Sequence, residues 1–116
     1  MTAIQKTQFA ALWDMDGTLI DAHELHYKAW KHALGNLVPH FDLELFALGF
    51  GSTNRAAIPI YLGYTPEEEL FHEISENKER FFRAHLAEGA SLFPGVRKWL
   101  EWIKEQGIRQ AIASSA

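Results

Sequence analysis

Two short apolar segments stand near opposite ends of the chain, residues 8–13 and 108–113, and almost everything between them is patterned as helix. In the first, Phe9-Ala10-Ala11-Leu12-Trp13, apolar side chains fill consecutive positions, as in a strand buried on both faces. In the second, Ile108 to Ala113 is again a short strand candidate. A connection so long and so helical does not suit a hairpin. The two strands are therefore expected to be parallel neighbours joined by a right-handed crossover, which makes the chain α/β.

The helices announce themselves by spacing and by their stops. Leu25, Trp30, Ala33 and Leu34 mark a helix over 24–34 that ends at Gly35, and shorter helices are expected over 42–48 and over 54–62, the latter stopping at Gly63. Thr65 is a good N-cap, with Pro66 in the first turn and Glu68 closing a capping box, so the next helix is expected to run from there to about Glu88, with Gly89 as its stop. Its inward stripe reads Leu70, Phe71, Ile74, Lys78, Phe81, Phe82 and His85. Pro94-Gly95 opens a last helix that carries Val96, Trp99, Leu100 and Ile103 on one face and ends at Gly107. This is more helix than one crossover requires. Residues 1–20 and 91–116 are read as a core and residues 21–90 as an inserted helical cap.

Composition removes several classes of function. A net charge of −4 with no cluster of Lys and Arg argues against a nucleic-acid partner. There is no cysteine, so disulfides, thiolate metal sites and cysteine nucleophiles are excluded. The apolar runs are far shorter than the roughly 20 residues a membrane span needs. The opening "MTAIQKTQ" lacks the apolar core of a signal peptide, so a cytoplasmic setting is expected.

The first strand stops at two carboxylates, Asp14 and Asp16, followed at once by Gly17 and Thr18. In extended chain, residues i and i+2 point the same way, so both carboxylates are able to face one reaction centre. Their mutual repulsion is relieved by a hard divalent cation such as Mg²⁺, which binds through one or two carboxylates plus substrate phosphate. Gly17 permits an unusual turn that leaves amide groups free for an anion. By themselves the same residues also read as an ordinary Asp-Gly turn.

The longer string "DMDGTLID" resembles the first motif of the haloacid dehalogenase superfamily, and the segment "LFPGVRKWLEWIKEQGIRQAIASSA" looks like that superfamily's return from cap to core, ending in its second motif. The insert beginning "DAHELHYKAW" is similar to the α-helical cap of the β-phosphoglucomutase and sugar-phosphatase branch. The resemblance implies a Rossmann-like core, here with two parallel strands, and a small helical cap. It implies that Asp14 is a nucleophile that becomes an aspartyl-phosphate, and that Asp16 is the acid and base for the leaving group and the water. It implies Mg²⁺ on the Asp14 carboxylate and the Asp16 carbonyl. Ser114 is expected to hold the phosphoryl group, with backbone amides near Gly17, Thr18 and Ser115. A third-motif lysine and a fourth-motif acidic pair would lie beyond Ala116, so the chain is expected to be the N-terminal half of such an enzyme.

In the cap, Lys78 either snorkels its charge out to water or meets an anionic substrate, as a lysine does at the similar position in the resembling branch. Arg55, in "GSTNR", is a second candidate for substrate or else a solvated surface residue. His23 and His26, in "HELH", lack metal-ligand spacing and are read as a hinge pair, with His26 near the substrate. The four tryptophans are read as packing residues. The expected function is Mg²⁺-dependent hydrolysis of a small phosphorylated metabolite, a sugar phosphate first. A β-phosphoglucomutase or phosphoglycolate phosphatase is the alternative. A reading of another class is an inactive fragment that serves association or packing, including self-association through open strand edges.

Overall fold

The computed structural model describes residues 8–114. In chain order its elements are β1 (Ala10–Trp13), β2 (Ile20–Asp21), α1 (His23–Leu34), a 3₁₀ turn (Gly35–Leu37), α2 (Leu43–Gly49), α3 (Asn54–Leu62), α4 (Glu68–Gly89), β3 (Ser91–Leu92), α5 (Val96–Glu105) and β4 (Arg109–Ile112). They fall into two compact units: a helical unit, His23–Gly89, and a strand unit made by the chain up to Ala22 and from Ala90 onward.

In the strand unit β1 and β4 are parallel neighbours, as their separation in sequence requires, with Ala10 opposite Arg109 and Trp13 opposite Ile112. The Trp13 indole donates to Gln110 Oε1 at 3.0 Å, and Gln110 Nε2 donates to the Leu100 carbonyl at 3.1 Å. One side chain thus joins both strands to α5. The expectation of a strand buried on both faces does not hold. Ala11 and Trp13 are half-buried on the face that α5 covers, while Leu12, on the other face, is 71% exposed. In α5, Val96, Leu100 and Ile103 are half-buried, but Trp99 is exposed and stands edge-on to Trp102, also exposed, at 5.9 Å. Trp99 and Trp102 are therefore surface residues rather than the packing residues expected.

The antiparallel pair β2–β3 has no counterpart in the sequence reading. It sets Ile20 opposite Leu92 and Asp21 opposite Ser91, and the Phe93 amide adds a bond to the Leu19 carbonyl at 3.1 Å. Two residues per strand are too few to show a period.

The helical unit holds the hydrophobic core: Trp30 and Leu34 from α1, Phe46 from α2, Ile58 and Tyr61 from α3, and Phe71 and Ile74 from α4 all belong to one buried cluster. Much of the α1–α4 seam is made of stacked rings, His26 on Phe82 at 4.4 Å and Phe81 between His32 and His85 at 4.7 and 4.1 Å. Helix α4 begins at Glu68, three residues later than its Thr-Pro start suggested. The Phe71 amide donates to the Glu67 carbonyl, and the Glu68 carboxylate turns to Arg55 instead of back to Thr65. Among the described residues no helix is long and apolar enough to cross a membrane.

Candidate active site

Ligands in open α/β sheets gather at the carboxyl ends of the strands. Asp14 follows the last residue of β1, and Ser114 comes two residues after the end of the neighbouring β4. The ladder is extended one residue past β4 by the Ala113 amide, which donates to the carbonyl of Trp13, the last residue of β1, at 2.8 Å. The parallel pairing therefore brings Asp14 and Ser114 to one end of the sheet, where both are exposed. Ser115 lies outside the described residues.

The turn after β1 is compact. The Met15 amide donates to Asp14 Oδ1 at 3.0 Å, and the Met15 carbonyl accepts from the amides of Thr18, Leu19 and Ile20 at 3.3, 3.0 and 3.0 Å. The Gly17 amide donates to the Ile20 carbonyl at 3.0 Å, which pairs Asp16 with Ile20. Gly17 has φ +77°, a left-handed value that favours glycine. The turn differs from expectation in one respect: the Gly17 and Thr18 amides bond within it, because the chain folds back around the Met15 carbonyl. Asp16 is half-buried, and Thr18 is exposed.

The chemistry of this donor set fits a hard cation in part. The Asp14 carboxylate and the Asp16 carbonyl are oxygen donors, and Mg²⁺ takes one or two carboxylates while keeping water and phosphate in its other positions. Among the described residues no group of three or more His, Asp or Glu side chains is gathered to hold a metal by itself.

The candidates of the helical unit are each engaged with a partner. The Arg55 guanidinium forms a two-pronged bond with Glu68, 2.8 Å on each prong, and lies over the Phe71 ring. That bond holds the guanidinium above its ordinary pKa and the Glu68 carboxyl below its own. Lys78 is buried, so its charge does not snorkel out to water. Its Nζ bonds Glu79 Oε1 at 2.9 Å and lies over the Trp30 and Phe82 rings at 5.4 and 5.3 Å. Asn54 Nδ2 reaches the same Glu79 oxygen at 3.1 Å and Ser75 Oγ at 2.9 Å. Burial alone would raise the Glu79 carboxyl, but the bonds from Lys78 and Asn54, with the charges of Lys78 and His26, hold it below its ordinary value. Glu68 and Glu79 are about three turns apart on α4, so Arg55 and Lys78 serve different places. Asn54, Ser75 and Glu79 were not singled out by sequence. Ser75 and Glu79 lie at i−3 and i+1 from Lys78, and only the first is a helical neighbour by rule.

The model of the haloacid dehalogenase-like hydrolases matches residues 11–116. A phosphorylated carbohydrates phosphatase of Thermotoga maritima is 28% identical over 110 residues, which cover 91% of this chain and 49% of that protein. A beta-phosphoglucomutase of Bacillus subtilis is 25% identical over 114 residues, 92% of this chain and 50% of that one. Among solved structures, a variant of CbbY from Rhodobacter sphaeroides in complex with xylulose-(1,5)bisphosphate matches with a TM-score of 0.78 at 31% identity, covering 92% of this chain and 51% of that one. The chain spans about half the length of the curated relatives it matches.

Proposed function

The chain belongs to the haloacid dehalogenase-like hydrolases, and from that premise we propose that the protein is a Mg²⁺-dependent phosphatase of small phosphorylated metabolites, sugar phosphates first, with Asp14 as nucleophile. The observation that carries this reading is the pairing of β1 with β4, which sets Asp14 and Ser114 at one end of a parallel sheet with Asp16 in the turn between. The relatives support it, since a carbohydrate phosphatase and a phosphomutase are both similar to the chain.

In this reading the Asp14 carboxylate attacks phosphorus, and the bond to the ester oxygen breaks as Asp16 gives that oxygen a proton. Asp16 then takes a proton from water, whose oxygen attacks the aspartyl-phosphate to release phosphate and restore Asp14. Ser114 donates from its hydroxyl to the transferring group. Asp14 and the Asp16 carbonyl would hold Mg²⁺, which supplies positive charge against the phosphoryl oxygens. Lys78, Arg55 and His26 contribute to holding the remainder of the substrate. A cytoplasmic setting belongs to the same reading.

Asp14→Asn tests it: the near-isosteric amide is a poor nucleophile, so turnover of sugar phosphates by the full-length protein should vanish while the fold stays. An active variant that does not deamidate back to Asp removes Asp14 from the chemistry. The product separates phosphatase from mutase, since the former releases inorganic phosphate and the latter returns an isomeric sugar phosphate.

A second reading, self-association through the strand unit, is favoured by the exposure of Leu12, Ile112 and Trp99 beside a two-stranded sheet. Sedimentation as a monomer at every concentration would set it aside.

A further inference from the structure

Asp14 and Ser114 share one end of the sheet only while β1 and β4 keep one register, and packing does little to hold it. The sheet has two strands, and no residue of either is buried; only Ala11, Trp13 and Gln110 are half-buried. Register is well specified where a face is buried and weakly where it is not. A slip of one residue would turn side chains away from α5. A slip of two keeps every face and carries Ser114 about 6.6 Å along the sheet, at roughly 3.3 Å per residue. Nor is the seam with α5 closed, since a groove of about 290 Å³ is lined in part by Trp13, Leu100 and Gln110. What marks the register is a pair of hydrogen bonds. Gln110 stands opposite Ala11, and Trp13, two residues on, faces the same side. An indole N–H only donates, so the Gln110 oxygen turns to it, at 3.0 Å, which leaves the Gln110 nitrogen for the Leu100 carbonyl at 3.1 Å. Trp13 is thus tied to β4 twice, through its indole to Gln110 and through its carbonyl to the Ala113 amide at 2.8 Å. Asp14 follows the first of these residues, and Ser114 follows Ala113.

We propose that Gln110 is a positioning residue for phosphoryl transfer: by clamping the Trp13 indole to β4 and α5 it fixes the register of the strand pair, and with it the place of the Ser114 hydroxyl relative to the Asp14 carboxylate. This rests on the phosphatase reading above, which it deepens. Gln110 comes four residues before Ser114, about 13 Å in extended chain, so it does not reach the reacting atoms and acts through Trp13. A reacting group displaced by about 1 Å costs up to about a hundredfold in rate, so a register held by two bonds bears directly on turnover.

The test is steady-state turnover of 4-nitrophenyl phosphate by the full-length protein, with kcat counted per folded molecule well below the melting temperature of each variant. Gln110→Met keeps the length of the side chain and removes both bonds. Its kcat should fall by roughly tenfold or more while KM stays within about twofold, because the ester still binds but meets a displaced pair. A side chain that served stability alone would lower the melting temperature and leave kcat per folded molecule unchanged. Trp13→Phe breaks the same bond from the other side and should show the same loss. Adding Gln110→Met to it should then cost less than about twofold more, since nothing is left to clamp. Should Gln110→Met not fold, Trp13→Phe alone decides. In isotope-labelled protein the amide signals of Asp14 and Ser114 should shift in either variant, while that of Ile74, in α4, stays in place. An unchanged kcat in both variants, losses that multiply in the double variant, or unmoved Asp14 and Ser114 amides overturn the proposal. If that happens while Asp14→Asn is inactive, the phosphatase reading stands. If Asp14→Asn is active, the phosphatase reading falls, and the shifts of the Asp14 and Ser114 amides still decide whether Gln110 sets the register.

Discussion

The phenol of Tyr61 lies so close to Gly49 that a methyl group on the glycine would sit 2.6 Å from the ring. The ring has nowhere to go. It is 2% exposed, stands edge-on to Phe41 and Trp30 at 5.0 and 5.1 Å, and donates through its hydroxyl to the Phe46 carbonyl at 2.9 Å. Gly49→Ala should therefore destabilise the helical unit, although alanine is the better helix former. Overpacking costs about 1–3 kcal/mol, against up to about 1 kcal/mol regained in helix propensity. Urea unfolding followed by helical ellipticity reads the balance, and a variant as stable as the parent would mean that the Tyr61 ring yields.

Tyr61 also makes stability depend on pH at the alkaline end. Burial pushes its pKa from 10.0 up to about 12. The folded state thus holds the phenolic proton more tightly than the unfolded state. Stability from this group is complete below pH 10 and is lost as pH rises through about 12. That difference is worth up to about 3 kcal/mol. Tyr61→Phe removes the titration, so its stability should fall less steeply than the parent's across that window in urea melts. Parallel curves for the two proteins would contradict this.

What sequence made legible follows from the range of each signal. The parallel pairing of β1 with β4 followed from their separation and the helices between, and the helix stops at Gly35, Gly63 and Gly107 followed from glycine's backbone freedom. What it hid depended on partners far along the chain. Thr65, Pro66 and Glu68 formed a sound local cap signal, but Arg55 drew the Glu68 carboxylate away through two 2.8 Å bonds. The continuous apolar run of β1 suggested two covered faces, yet Leu12 lies on a face that α5 does not cover. At the site, the order of Asp14, Asp16 and Ser114 was visible from motif and strand ends, while the inward bonding of the Gly17 and Thr18 amides was not. The Lys78–Glu79 bond was hidden for another reason: residues i and i+1 of a helix do not ordinarily face each other.

Gln110 is the joint of the strand unit, and its removal should be felt at Trp13. Gln110→Ala severs the bond from the indole and the bond to the Leu100 carbonyl. A polar group left without its partner costs about 1–3 kcal/mol when buried, and the half-buried Trp13 indole belongs at the lower end. Hydrogen exchange at the Trp13 indole should speed up by roughly tenfold, since about 1.4 kcal/mol is a factor of ten. Unchanged protection would show that another group holds the indole.

Lys78→Met keeps the apolar stem that packs on Trp30 and Phe82 while deleting the ammonium. If Lys78 meets the sugar part of the substrate, kcat/KM on sugar phosphates should fall roughly ten- to a hundredfold, the worth of a charge-assisted hydrogen bond of about 1.5–3 kcal/mol. The loss on 4-nitrophenyl phosphate, which has no hydroxyl-bearing part, should be much smaller. Equal losses on both substrates would assign the Lys78 ammonium to its bond with Glu79 and not to the substrate.

The two units should not be equally stable. In the helical unit ten residues form one buried cluster, Phe46, Leu34, Ile58 and Ile74 among the deepest. In the strand unit, only Leu19 and Ala22 are buried among the described residues, while Trp99, Ile112 and Leu12 are 61%, 60% and 71% exposed. Full burial of one large apolar side chain is worth roughly 1.5–3 kcal/mol, so the difference in core decides the order. Two short strands with one covering helix make a marginal structure. The amides of β1 and β4 should exchange with solvent before those of α1 and α4, and on heating the fluorescence of Trp13 should change before helical ellipticity is lost. A dye that binds exposed apolar surface should bind the native chain and bind less after any ligand or partner covers Leu12 and Ile112. Equal protection throughout, with a single coincident transition, would mean that the strand unit draws its stability from contacts other than its own core.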